Sequence, residues 1–284
     1  MSRPAVEPTP VRPVFMASIP GRHFVRNFVT KQHLLMQLVR RDFQQRFVGS
    51  AAGWLWGFIQ PLVLLLSWVF VFRVCLHSKV PAGEPTDNYV MFLACGYLPF
   101  LLFQETVTRS ATSLVDNANL ITKTVFPSEF IPVAIFFSTL VQHLLALSIV
   151  LLAVLVWLRH ASPWMLMLPF YTLAIGFLAI GVGWIVSGLQ VYLRDTSQVL
   201  MLILTFWFWV TPIFIVEAQY PVKLRFLLHL NPLAYMVRAY RDRLLSGRVP
   251  AWNEVAITAL YSAAVFILGG LFFRQVKRGF ADVL

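Results

Sequence analysis

Two ionisable side chains stand in or beside apolar stretches. They are the first residues whose chemistry needs an account. Glu105 stands late in its span, after the apolar run 89–103, and His143 sits inside another. A carboxyl group and an imidazole in such surroundings could relay protons or line a path for a polar solute. One acid and one distant histidine make a poor relay, which leaves Glu105 as a helix-end or gating residue. Catalytic patterns are missing. No paired carboxylates, no H-E-x-x-H and no ordered Ser, His and Asp set occur. No glycine precedes a lysine, so the phosphate loop G-x-x-x-x-G-K-[ST] is absent as well. Cys75 and Cys95 lack metal-ligand spacing and are expected as buried thiols.

The elements that carry these residues follow from composition. The 284 residues are 58% hydrophobic and 12% charged, whereas soluble domains carry roughly 25% charged residues. A soluble core could not hide so much apolar surface, so an all-α polytopic membrane protein is expected. The net charge of +11 sits in loops and at helix ends, where it orients spans and meets anionic lipid. That placement argues against nucleic acid as a partner.

Residues 1–21 are proline-rich and lack periodicity, which predicts a disordered tail. Residues 22–48 are amphipathic. Arg26, Thr30, His33, Gln37, Arg40 and Gln44 share one face, opposite Phe24, Val25, Phe28, Leu35, Val39 and Phe43. An interface helix on the membrane surface is expected there, joined through Gly49-Ser50 to the first span. Within 49–278, six transmembrane helices are predicted near 51–73, 88–113, 130–157, 164–191, 196–216 and 253–273. Residues 279–284 form a second short tail. The fourth span carries Gly176, Gly181, Gly183 and Gly188, small residues that let helices approach closely in lipid.

The first 50 residues hold eight Lys and Arg, and the segment after the last span adds three. With an even number of spans, the positive-inside rule places both termini in the cytoplasm. A short cytoplasmic helix is expected at 117–127, capped by Asp116, Asn117 or Asn119 and stopped by Pro127. Residues 217–252 then fall outside, yet 218–246 are too apolar for a plain loop. They read as a re-entrant helical pair broken at Asn231-Pro232 before the last span.

Aromatic residues, 15% of the chain, are the remaining signal. Trp54, Trp56 and Trp68 belong to the first span, Tyr97, Phe100 and Phe103 to the second. Phe206-Trp207-Phe208-Trp209 in the fifth cover every helix face, so at least one ring must point inward. Rings without buried charge suit a bulky neutral polymer such as a glycan, whose C–H faces can slide over them.

Three stretches also carry a likeness. R-R-D-F-Q-Q-R-F-V-G-S-x-x-G-W-L-W-G-F-I-Q-P at 40–61, Y-L-R-D at 192–195 and N-P-L at 231–233 resemble the membrane subunit of type-2 ABC exporters for polysaccharides, nearest the O-antigen permeases. The likeness covers roughly residues 24–278. It implies a bacterial inner-membrane permease that works with a second copy of itself and two ABC ATPase subunits. It implies a lipid-linked glycan as substrate, and ATP and Mg held on the ATPase rather than on this chain. Arg40, Arg41, Arg46, Asn119, Leu120, Lys123 and Phe126 become candidates for ATPase contact. Tyr97, Phe100, Glu105, Phe206, Trp207, Trp209, Asn231, Pro232 and Tyr235 become candidates for the channel and its outer gate. Capsule and teichoic-acid permeases are near alternatives. An ion-driven secondary transporter would need inverted repeats and midplane charge, and a membrane transferase would need clustered acids and histidines. Neither pattern is seen.

Overall fold

The computed structural model describes residues 31–46, 49–80, 84, 86–123, 126–159 and 161–283. The tail at 1–21 and the first turns of the expected interface helix, at 22–30, lie outside them. Among the described residues every regular element is helical.

Helix α1, Gln32–Gln45, is amphipathic as the sequence pattern requires. Leu35 and Leu38 are buried, while His33, Gln37, Arg40 and Gln44 are exposed. Gly49 then takes a φ of +78°, a left-handed conformation that favours glycine. Helix α2, Trp56–Val69, belongs to a continuous helical stretch, Gly53–Cys75. The long helices α3, Tyr89–Asp116, α5, Phe130–Ala153, and α6, Leu168–Tyr192, follow, with the short α4, Ala118–Lys123, between α3 and α5. Then come α7, Thr196–Val210, α8, Arg225–Leu230, α9, Pro232–Arg241, α10, Trp252–Val276, and α11, Phe280–Val283.

Local chemistry sets these ends. The Asn88 side chain accepts from the amides of Val90 and Met91 at 3.0 and 3.3 Å and so caps α3. Asn231 caps α9 by accepting from Leu233 N at 3.0 Å, with Pro232 in the first helical position. Asn117 does not cap α4 with its side chain. Its amide donates back to the Ser113 carbonyl at 2.9 Å and its Oδ1 accepts from Arg41. The described part of α4, Ala118–Lys123, lies within the expected 117–127.

Five helices among the described residues are long and apolar enough to cross a membrane, not the six expected. The exception is α7. Its 15 residues reach about 22 Å at ~1.5 Å per residue, short of a ~30 Å hydrocarbon core. The cause is Pro212, which forces Thr211 into an extended conformation with ψ of 136° and ends the helix. Residues 211–214 continue without helix but stay buried. Cys75 also departs from expectation. It is exposed, whereas Cys95 is buried, because α2 sits at the edge of the bundle with none of its apolar 18-residue window buried.

Helix α6 is the hub. A Cβ on Gly181 would strike the backbone at Val265 of α10, one on Gly269 would strike Gly181, and one on Gly176 would strike the Phe136 ring of α5. Small residues thus let α6 and α10 meet at backbone distance and seat the Phe136 ring of α5 on α6, the mode of packing that lipid solvent favours.

Candidate functional site: a clamp at one end and an aromatic unit at the other

At the α1 end of the bundle, α1 is tied to α3 and α5 by charge. Asp42 accepts two hydrogen bonds from Arg109 Nη2 on α3, both at 2.8 Å. Arg109 Nη1 also donates to Thr139 on α5 at 3.4 Å. Arg46, at the close of α1, pairs with the Glu105 carboxylate and donates to Gln142 Oε1. Arg41 donates to Asn117. Burial pushes the Arg46 guanidinium below its ordinary value, and the Glu105 carboxylate opposes that shift. The same end is closed by Lys277 on Glu129 at 2.6 Å and by Tyr192, whose hydroxyl donates to the Val276 carbonyl at 3.0 Å.

The expected docking residues divide into two sets. Arg40 and Asn119 face outward. Arg41 and Arg46 are engaged in the clamp, and Leu120 and Phe126 pack against the core. Lys123 closes α4.

At the other end, α7, the chain after it and α9 form one unit. Asn231 Oδ1 accepts from Trp207 Nε1 at 2.8 Å, and its Nδ2 donates to Thr211 Oγ1 at 3.1 Å. Arg241 is 4% exposed. Its guanidinium donates to the carbonyls of Phe92, Pro212 and Ile213 and lies 3.7 Å from the centroid of the Phe92 ring. Those bonds satisfy the non-helical backbone after α7, which has no helical partners of its own. Tyr240 shares hydrogen bonds with His143 at 3.0 Å and Thr172 at 2.6 Å, joining α9 to α5 and α6. Arg238 pairs with Glu217, approaches Glu254 at 3.5 Å and covers the Tyr235 ring at 4.8 Å.

The four consecutive aromatics of α7 split by face. Phe208 is buried, centroid to centroid 5.0 Å from Phe100 and 5.0 Å from Trp68. Trp207 is partly buried against Phe103 at 5.2 Å. Phe206, 71% exposed, and Trp209 face out of the bundle, Trp209 stacking on Phe214 at 5.2 Å. Tyr97 meets Trp68 edge-on at 4.8 Å. Asn231, Pro232 and Tyr235 are buried, and Glu105 belongs to the clamp rather than to this unit. Sequence reasoning missed Phe208, Phe214 and Arg241 as organising residues. Arg241 stands in the charged stretch Arg238–Arg243, which gave no sign of a buried guanidinium.

Residues 33–245 match the ABC-2 type transporter family. The chain belongs to that family. Among similar proteins is the O-antigen export system permease protein RfbA of Klebsiella pneumoniae, 27% identical over 252 residues that cover 88% of this chain and 95% of the relative. The protein of the same name from Myxococcus xanthus is 25% identical, covering 91% and 98%. The polysialic acid transport protein KpsM of Escherichia coli is 22% identical, covering 84% and 91%. For an ABC-2 type transporter the two ends of the bundle acquire distinct interest. The matched region begins within α1 and closes just beyond α9, so clamp and aromatic unit both fall inside it.

Proposed function

We propose that the chain is the permease subunit of an ATP-driven exporter that carries a lipid-linked polysaccharide, the O antigen of lipopolysaccharide, across the bacterial inner membrane. The observation that carries this reading is the near full-length similarity to O-antigen export permeases. Two copies pair so that the outward rings Phe206 and Trp209 of α7 face a shared channel. Two ABC ATPase subunits bind ATP and Mg and dock at the α1 end, where α4 presents Asn119 and α1 presents Arg40. This chain supplies no cofactor site of its own. Both termini are cytoplasmic, α1 lies in the inner-leaflet interface, and α7 with its non-helical continuation serves as the sixth crossing. Helices α8 and α9 re-enter from the outer face as the gate. Closure of the ATPase subunits moves α1, and the clamp passes that movement to α3 and α5. The exposed rings offer sliding contacts to sugar faces without a charge to trap them.

Capsular polysaccharide is the second reading, favoured by the KpsM similarity at lower identity. The docking assignment is tested on the outward residue of α4. Asn119→Trp is expected to cut co-purification of the ATPase subunit at least tenfold while membrane insertion stays unchanged. Undiminished association would remove α4 from the contact. Phe126 is unsuited to this test because it packs on the core.

A further inference from the structure

Between α2, α3 and α5 lies a cavity of about 270 Å³, walled by Phe58 and Leu65 of α2, Leu98 and Leu101 of α3, and Ile149 and Val150 of α5. An apolar cavity of about 150 Å³ stays dry and accepts a benzene. This one has room for a longer stretch of hydrocarbon. Four polar side chains meet it: Glu105, Thr139, Gln142 and His143. Three of them are engaged. Glu105 pairs with Arg46, Thr139 donates to the Ile135 carbonyl at 2.9 Å, and His143 pairs with Tyr240 at 3.0 Å. Gln142 accepts from Arg46 through Oε1, but its Nε2 is buried and has no hydrogen-bond partner among the described residues. The residue is 6% exposed. A buried donor left unmade costs about 1–3 kcal/mol, so an acceptor oxygen is the missing complement. Helix α2 adds a second sign, since none of its apolar window is buried by protein. Leu65, Trp68 and Val69 reach the core, and the rest of its apolar surface is left for hydrocarbon.

We propose that this cavity binds one acyl chain of a bilayer glycerophospholipid, with a headgroup ester or phosphate oxygen accepting from Gln142 Nε2 beside Arg46. The hydrocarbon walls take the chain, and the guanidinium one residue contact away suits an anionic headgroup oxygen. The lipid is a resident one and not the cargo. The cavity lies within a single protomer, and Tyr97 closes it toward Trp68 and Phe208 rather than opening it to the outward rings of α7. A lipid seated there fixes α2 against α3 and α5 next to the α1 clamp.

The test uses the full chain in vesicles of phosphatidylethanolamine and phosphatidylglycerol. The phosphatidylglycerol carries a photoactivatable diazirine midway along one acyl chain, and labelled peptides are mapped by mass spectrometry. Labelling is expected within 97–102, where Leu98 and Leu102 are buried from bulk lipid. Ala146→Phe, which fills the cavity from α5, and Gln142→Leu, which removes the donor, should each lower it at least fivefold. Labelling around the exposed Leu202 of α7 should stay within twofold, which also reports a folded, inserted chain. If Ala146→Phe disturbs that control, Ala94→Leu fills the cavity from the opposite wall. Absence of label at 97–102, or label indifferent to filling, would overturn the proposal. Label lost on filling but unchanged in Gln142→Leu would overturn the headgroup contact. Stronger labelling of the same segment by a polyprenyl phosphate bearing the same group, at equal mole fraction, would overturn the choice of phospholipid.

Discussion

Arg46 serves two masters at the end of α1. It pairs with Glu105 on α3 and donates to Gln142 on α5, so one side chain holds three helices. Exposed ion pairs contribute about 0.2–1 kcal/mol, and removing one partner of a buried pair costs about 3–5 kcal/mol. The Arg46 and Glu105 side chains are 21% and 18% exposed, between those limits. Arg46→Gln and Glu105→Gln should each destabilise the chain by about 2 kcal/mol. The double variant should fall by less than the sum, because each single change strands the other charge. Thermal unfolding in detergent for all four proteins gives the coupling. Strictly additive losses would show that the pair does not act as a clamp. The sequence pointed to Arg46 as a headgroup anchor and left Glu105 open between structural and gating roles. Their partnership was hidden because 59 positions separate them, and only the fold brings α1 across α3.

At the scale of elements, α7 carries two different kinds of ring. Phe206 and Trp209 point out, whereas Trp207 is bonded to Asn231 and Phe208 is enclosed. Phe206→Ala with Trp209→Ala should therefore reduce glycan export at least fivefold and leave the thermal midpoint nearly unchanged. Trp207→Phe should show the reverse, losing about 1–2 kcal/mol of stability by leaving Asn231 Oδ1 short of a donor. Export assayed in cells beside unfolding of the purified chain separates the two. The four-aromatic run made an inward ring legible in advance, because a helix turns through every face in four residues. Which ring turned inward was not legible, since α2 and α3 choose it by supplying Trp68 and Phe100. The early end of the helix in the fifth expected span was hidden for a related reason. Hydropathy continues through residues 211–216, but Thr211-Pro212 ends the helix, and the buried guanidinium of Arg241 replaces the lost backbone partners.

For the whole molecule, the division of labour follows from where charge and aromatic surface lie. The helix class, the five long apolar helices and the break at Asn231 could be read from periodicity, because lipid solvent leaves few alternatives to long apolar helices. The clamp and the cavity could not, since both depend on pairings between distant helices. The central claim is that ATP spent at the α1 end moves a glycan past the rings of α7. The direct measurement is transfer of lipid-linked O-polysaccharide into the lumen of sealed vesicles that contain this chain and its ATPase subunits, the ATPase facing the bath. Luminal glycan should rise with added ATP and Mg, stay at background with a non-hydrolysable analogue, and fall at least fivefold with Phe206→Ala and Trp209→Ala together. Transfer that proceeds without ATP, or that an ion gradient drives instead, would contradict the account.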